Sequence, residues 1–298
     1  MNDDGLDIDH LRQWIGRSET AVDTVSARLV AGYLAVLDDP NPERALGADA
    51  PLAIHWCLAP VTRPMSELGL DGHPKRGGLL PPVPLPHRMW AGGRMELHSR
   101  FRVGDQITRR STIRDVVMKT GRSGALCFVV VDHDFTGEQG LVLRERHDIV
   151  YRAARDPNAA LPAIPQALPA RWSYSVMADP VLLFRYSAIT FNGHRIHYDR
   201  NHSITSEGYS GLVVHGPLQA TMMLEFAAQL RGKPPLTFDY RGISPLRDGA
   251  PFTVNADETP EGLHLWTAAE GGRLCMEAWA TWTSTDSEEF LHLGRGQT

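Results

Sequence analysis

FRVGDQIT at residues 101–108 returns as LRDGAPFT at residues 246–253, with Arg, Gly and Thr at matching places and apolar residues facing apolar ones. Farther along, GALCF at 124–128 matches GRLCM at 272–276. The two offsets, 145 and 148 residues, differ by one short loop insertion. Self-similarity at a fixed spacing is the mark of a repeated structural unit, here one fold occurring twice.

The order of elements around the two copies agrees. In the first, Val22, Val25, Leu29, Tyr33, Leu34 and Leu37 recur at intervals of three and four, which predicts a helix over 20–38. Asp38-Asp39-Pro40 stops it, because Pro cannot continue the hydrogen-bond ladder. Residues 71–93, rich in Gly and Pro, read as an ordered loop. Strands are expected over 94–107, 109–118, 125–135 and 141–151, where β-branched and aromatic residues gather between turn signals. RDPNAALPAIPQALPA at 155–170 reads as a stiffened linker.

After the linker, helix and strands return. Pro217 behind Gly216 starts a helix whose buried face carries Leu218, Met222, Met223, Phe226 and Leu230, and Gly232 ends it. A half with one long helix and several antiparallel strands buries both apolar faces by wrapping the sheet around the helix. Two such sheets pairing edge to edge would hide their open strands. The expected organisation is therefore α+β, with halves 1–154 and 171–298 joined by 155–170.

The totals narrow the function. With 42% hydrophobic and 22% charged residues among 298, the chain buries a proper core. A net charge of -5 argues against nucleic acid as a main partner. No apolar run is long enough for a membrane helix, and MNDDGLDIDH lacks the features of a secretory signal. Cys57, Cys127 and Cys275 have neither metal-ligand spacing nor a disulfide pattern, so a reducing cytoplasm is the expected compartment. No metal is expected. HExxH, a nucleophile elbow and a phosphate-binding Gly loop are all missing from the sequence.

Titratable groups concentrate in YSAITFNGHRIHYDRNHS at 186–203, which holds His194, His197 and His202 among Asn192, Arg195, Tyr198 and Asp199. Such density marks a site, although a solvated polar loop would look the same. Just downstream, the helix beginning at Gly216 offers free N–H groups and a positive dipole end, suited to an enolate oxygen. A neutral imidazole nearby can take a proton from water and return it. One histidine loop and one helix amino terminus are the minimum for hydrating an α,β-unsaturated thioester. His215 is read first as a capping or core histidine. The other histidines receive no role, and His133 with Asp134 reads as a surface contact on a strand.

FNGHRIHYD at 191–199, followed by EGYSGLVVHGPLQATMMLEF at 207–226, resembles the carboxy-terminal half of MaoC-like dehydratases of the double hot-dog type. The nearest groups are the mesaconyl-C4-CoA (3-methylfumaryl-CoA) and itaconyl-CoA hydratases. Mitochondrial 3-hydroxyacyl carrier-protein dehydratases share the motif. LLPPVPLPHRMWAGGRMEL at 79–97 and FRVGDQITRRSTIRDV at 101–116 resemble the amino-terminal half of the same group.

The resemblance implies a double hot-dog fold with one active site per chain, in the second half. It implies a hydro-lyase acting on a short, branched dicarboxylic acyl-CoA, with coenzyme A entering as part of the substrate and no separate cofactor. A homodimer or a pseudo-dimeric monomer is the expected assembly. The family motif pairs an Asp with a His five residues later. Asn192 and His197 hold those places, so Asp has become Asn. His197 is then the proton carrier and Gly216 N–H the oxyanion donor, while Asn192 orients water or thioester, since an amide is no base. His194, Arg195, Tyr198, Asp199 and His215 are the substrate-binding candidates. For Arg195 three roles stand open: pairing with an acyl carboxylate, binding a coenzyme A phosphate, or fixing the loop. Asp199 or the substrate's own carboxylate stands in for the missing Asp. A carrier-protein dehydratase of fatty acid synthesis, an acyl-CoA-binding protein without turnover and a thioesterase are the competing readings.

Overall fold

Among the described residues, ten antiparallel strands form one sheet. They are β1 (Ser18–Thr24), β2 (His87–Leu97), β3 (Gln106–Gly121), β4 (Gly124–Gly137), β5 (Gly140–Arg152), β6 (Trp172–Met177), β7 (Thr237–Gly242), β8 (Pro251–Thr259), β9 (Gly262–Ala269) and β10 (Leu274–Thr281). The structure, a computed structural model, describes residues 6–121, 124–153 and 163–282. Strand order is β1-β3-β4-β5-β2-β7-β10-β9-β8-β6. The seam between the halves is β2 against β7, with Gly92–Glu96 opposite Thr237–Arg241. Outward from it the same sequence of strands appears on both sides, so β5 answers β10, β4 answers β9, β3 answers β8 and β1 answers β6.

The first internal match falls on equivalent elements. FRVGDQIT leads into β3 and LRDGAPFT into β8, with Phe101 and Leu246 both buried. Each carries a glycine in the left-handed region, Gly104 at φ 98° and Gly249 at φ 91°, where a side chain would strain the turn. The second match does not. GALCF opens β4 but GRLCM opens β10, the counterpart of β5. Both are glycine-led strand starts after a tight turn, and that local likeness produced the match.

Among the described residues, five α-helices accompany the sheet: α1 (Ile8–Arg12), α2 (Ala27–Val36), α3 (Pro180–Ile189), α4 (Arg200–Thr205) and α5 (Gly216–Arg231). The helix expected over 20–38 is shorter than its periodicity suggests. Ser18–Thr24 pairs with β3 instead, and α2 begins after Ser26, whose hydroxyl accepts from Leu29 N–H at 3.2 Å. The β-branched Thr20, Val22 and Thr24 at every second place favour that strand. The strand expected over 94–107 is likewise divided, since β2 ends at Leu97 and β3 begins at Gln106. Helix α5 matches its expected limits, with Pro217 in the first turn and Gly232 left-handed at φ 69°.

One main core spans both halves, with Tyr33 and Leu34 of α2, Leu183 and Tyr186 of α3, and Phe238 and Phe252 of the sheet among its members. Full burial of each large apolar side chain contributes about 1.5–3 kcal/mol. A smaller core pins α1 to the same face of β3 and β4, farther along the strands, through Leu11, Trp14, Val116 and Val129. The expected linker is described only from 163 on, its earlier residues lying outside the described ones. Ala167 N–H there donates to Gly272 O at 2.7 Å.

The halves differ where it matters for function. Between its short helix and its seam strand the second half has α4 and α5, whereas the first has only single 3₁₀ turns at Ile54–Cys57 and Met65–Glu67. In place of a long helix, a cavity of about 1450 Å³ lies against the inner face of β3–β5 and extends to the loop after α3.

Candidate active site

The loop that carries the histidines is shaped by its own backbone. Asp179 caps α3, accepting from Val181 N–H at 2.6 Å. The helix stops at Phe191, held left-handed at φ 53° with 60% of its surface exposed. Asn192 N–H donates back to Ser187 O, and Asn192 Oδ1 accepts from His194 N–H at 3.0 Å. A 3₁₀ turn, Arg195–His197, follows, and Asp199 then caps α4 by accepting from His202 N–H at 2.9 Å.

His197 is buried with its orientation fixed. Its Nδ1 donates to Val213 O at 2.7 Å, and its ring stacks on that of His215 at 3.6 Å between centroids. A proton on Nδ1 leaves the Nε2 lone pair without a partner among the described residues, in a side chain that lines the cavity. Burial holds its pKa down to about 4 against the usual 6.5, so the ring is a neutral base through the physiological range. His215 is fully buried, bonded through Nε2 to Ser187 Oγ at 2.8 Å, and does not line the cavity.

Gly216, the next residue, opens α5, and its N–H has no acceptor among the described residues. The Trp90 ring lies against it so closely that a Cβ there would come 2.4 Å from Trp90 Cε3. Gly216→Ala should therefore push the indole or the helix start aside and lower kcat/KM for any thioester by about tenfold or more, a fraction of the loss seen when an oxyanion donor is removed. Unchanged steady-state kinetics in that variant would show that this contact does not matter to turnover.

Three expected substrate-binding residues are engaged with the protein itself. Arg195 donates to Asp199 Oδ2 at 2.7 and 3.1 Å and to Leu70 O at 3.0 Å. Asp199, holding that guanidinium and capping α4, has its carboxyl kept below the usual range, first by the His202 N–H and then by Arg195. Tyr198 OH donates to Gly193 O at 2.9 Å, with the residue 46% exposed. These contacts match the loop-fixing role among those considered for Arg195. The His194 side chain has no hydrogen-bond partner among the described residues. Its ring lies 5.4 Å from that of His197, perpendicular to it, and lines the cavity.

The cavity also gathers groups to which the sequence reading gave no role. From the first half, Asp71 and His73 reach the histidine loop, with the His73 ring 4.1 Å from that of His194. Arg88 of β2 lines the cavity with no ion-pair partner among the described residues, and its charge bears on His73, His194 and His147. Deeper lie Arg109, Ser111, His133, Glu145 and His147 on the inner face of β3–β5. His133, expected at the surface, instead bonds Ser111 Oγ at 2.7 Å, and burial takes its pKa down to about 3. The available signal was period two: His133 shares its face with Val131 and Phe135, both buried.

The hydroxyacyl-thioester dehydratase type 2 family matches residues 53–248. The mesaconyl-C(4)-CoA hydratase of Chloroflexus aurantiacus is 39% identical over 269 residues, which cover 89% of this chain and 95% of that one. The mitochondrial hydroxyacyl-thioester dehydratase type 2 of Schizosaccharomyces pombe is 35% identical over 111 residues, 35% of this chain and 36% of its own. Among solved structures, a MaoC-like dehydratase superposes with TM-score 0.66 at 15% identity, covering 90% of this chain and 98% of that one. A Mycobacterium tuberculosis protein described as a double hotdog fold does so with TM-score 0.53 at 15% identity, covering 89% and 94%. At such identities these likenesses show the fold alone.

Proposed function

The chain belongs to the hydroxyacyl-thioester dehydratase type 2 family, a hydro-lyase of the double hot-dog fold, and from that premise we propose that it hydrates a short dicarboxylic enoyl-CoA through His197 and Gly216. The observation that carries the reading is the fixed tautomer of His197. Its Nδ1 proton is committed to Val213 O, and its Nε2 lone pair belongs to a residue lining the cavity beside the free N–H of Gly216.

In the forward direction, His197 Nε2 takes a proton from water as the water oxygen bonds to Cβ. The double-bond electrons move to Cα and the thioester oxygen, where Gly216 N–H and the α5 dipole meet the developing charge. His197 then returns the same proton to Cα. Dehydration runs these steps in reverse. Asn192, its Oδ1 turned into the loop, serves the loop's shape rather than proton transfer.

A dicarboxylic acyl group needs a cation for its free carboxylate. Arg88 fits that need better than Arg195, because Arg195 is already paired. The polar groups deeper along β3–β5 also suit a polar acyl end more than a bare hydrocarbon tail. The size of the cavity favours a second reading, a dehydratase of longer acyl chains.

A substrate panel separates the two: mesaconyl-C4-CoA, itaconyl-CoA, crotonyl-CoA and a longer trans-2-enoyl-CoA, followed by loss of enoyl thioester absorbance. Preference for a carboxylated C5 substrate is expected. Arg88→Gln should then lower kcat/KM for that substrate by about tenfold to a hundredfold, the worth of a hydrogen bond to a charged group, and leave crotonyl-CoA nearly unchanged. Equal losses on both would remove Arg88 as the carboxylate's partner. Preference for the longer chain would favour the second reading.

A further inference from the structure

A water about to attack Cβ is best held by two acceptors, one for each O–H, so that a lone pair is left for the carbon. His197 Nε2 supplies one. Position 192 would supply the other if it were a carboxylate, but Asn192 has its oxygen bonded to His194 N–H.

We propose that His73, oriented by Asp71, is the second acceptor and completes the site from the other half of the chain. The segment that carries it is joined to the catalytic loop. Arg195 N–H donates to Asp71 O at 2.9 Å, and Arg195 Nη1 donates to Leu70 O at 3.0 Å. Gly72 lies so close to Gly193 that a Cβ on it would stand 1.9 Å from Gly193 O, and its φ of 87° excludes most side chains anyway.

Within that segment Asp71 grips His73 twice, accepting from the backbone N–H at 3.0 Å and from Nδ1 at 2.9 Å. Burial would raise its carboxyl pKa, but the hydrogen bonds from His73 hold it below the usual range, while burial keeps the His73 imidazole itself neutral. The proton on His73 therefore sits on Nδ1, and Nε2 is left as an acceptor in a side chain lining the cavity. His197 repeats the design, with Val213 O in the place of Asp71. The His194 ring neighbours both, at 4.1 Å from His73 and 5.4 Å from His197. Neither ring nitrogen of His194 has a partner among the described residues to fix its tautomer.

This inference rests on His197 as the base of a hydratase. One water proton goes to His197 and then to Cα. The other is hydrogen-bonded to His73 Nε2 throughout and stays on the product hydroxyl. His73 thus touches the reacting water without a net proton change, and Asp71 is a positioning residue that sets its tautomer.

The test measures hydration of mesaconyl-C4-CoA and crotonyl-CoA by the wild type, His73→Leu, His73→Gln and Asp71→Asn, together with ¹⁵N NMR of the imidazoles. His73→Leu should lower kcat by about a hundredfold with little change in KM. His73→Gln, whose amide oxygen still accepts a hydrogen bond, should recover part of that loss. Asp71→Asn should lower kcat by about tenfold and shift His73 from the Nδ1–H form toward a tautomer mixture. Wild-type kcat in His73→Leu, no recovery by Gln, or an Nε2–H tautomer in the wild type would each overturn the proposal. So would activity lost to a chelator and restored by zinc, because Asp71, His73 and His194 lie close enough together to hold a metal ion instead. A wild type inactive toward the whole panel would sink the hydratase reading, while the NMR would still report the His73 tautomer.

Discussion

Replacing His197 by Ala should lower kcat by about two to four orders of magnitude, the usual contribution of a general acid–base group. The fold should survive, because the ring's one hydrogen bond is to Val213 O and its main contact is the stack on His215. Near-normal turnover in a folded variant would remove His197 from the mechanism. The pH profile offers a second check. A base must be unprotonated to act, and burial keeps this one so down to a pKa of about 4. For the free enzyme, kcat/KM should stay level as pH falls to about 5 and decline only below that. An acid limb centred near 6.5, the ordinary imidazole value, would assign the proton transfer to a less buried group.

Glu145→Ala should be the most destabilising single change in the sheet. The carboxylate is fully buried, and its Oε1 accepts from Trp56 Nε1 at 3.0 Å and from Tyr240 OH at 2.6 Å, while His55 Nε2 lies 3.5 Å from Oε2. Tyr240 belongs to β7 and Glu145 to β5, so the bond crosses the seam. Removing the acceptor strands these partners, at a cost of about 3–5 kcal/mol. Glu145→Gln, which keeps an oxygen, should cost less, about 1–3 kcal/mol. Urea unfolding midpoints measure both, and a loss under about 1 kcal/mol in the Ala variant would contradict the account. Burial alone would raise the Glu145 pKa, but His55 and the other nearby histidines outweigh it and hold the group below the usual carboxylate range. The sign follows: its stabilisation is complete above the unfolded-state pKa of about 4.3 and is lost as pH falls further. The Gln variant should lack that part of the acid sensitivity.

Local rules in the sequence reached the elements whose partners are nearby. Pro217 and Gly232 delimit α5 correctly, and the crowding of polar residues at 191–199 locates the loop beside it. They failed where a distant partner decides. Thr20–Thr24 fits a helix face or a strand equally well, and β3, some 85 residues on, selects the strand. Asp71, His73 and Arg88 had no motif to mark them, because Asp71 and His73 meet residues 194 and 195, and Arg88 joins the same cavity, only once the chain is folded. For Arg195 and Asp199 the residue types were suggestive, but only geometry reveals that they satisfy each other.

The seam between β2 and β7 also sets how the two halves find one another. In a complex of two separate chains, pairing weakens on dilution. Here one half meets the other at the effective concentration that a covalent connection imposes, whatever the concentration of the protein itself. Pairing of the halves is thus independent of how much protein is present, and each half is free to change without a matching change in its counterpart. The first could replace a long helix by an open chamber, and the second could keep its helix and its histidine loop.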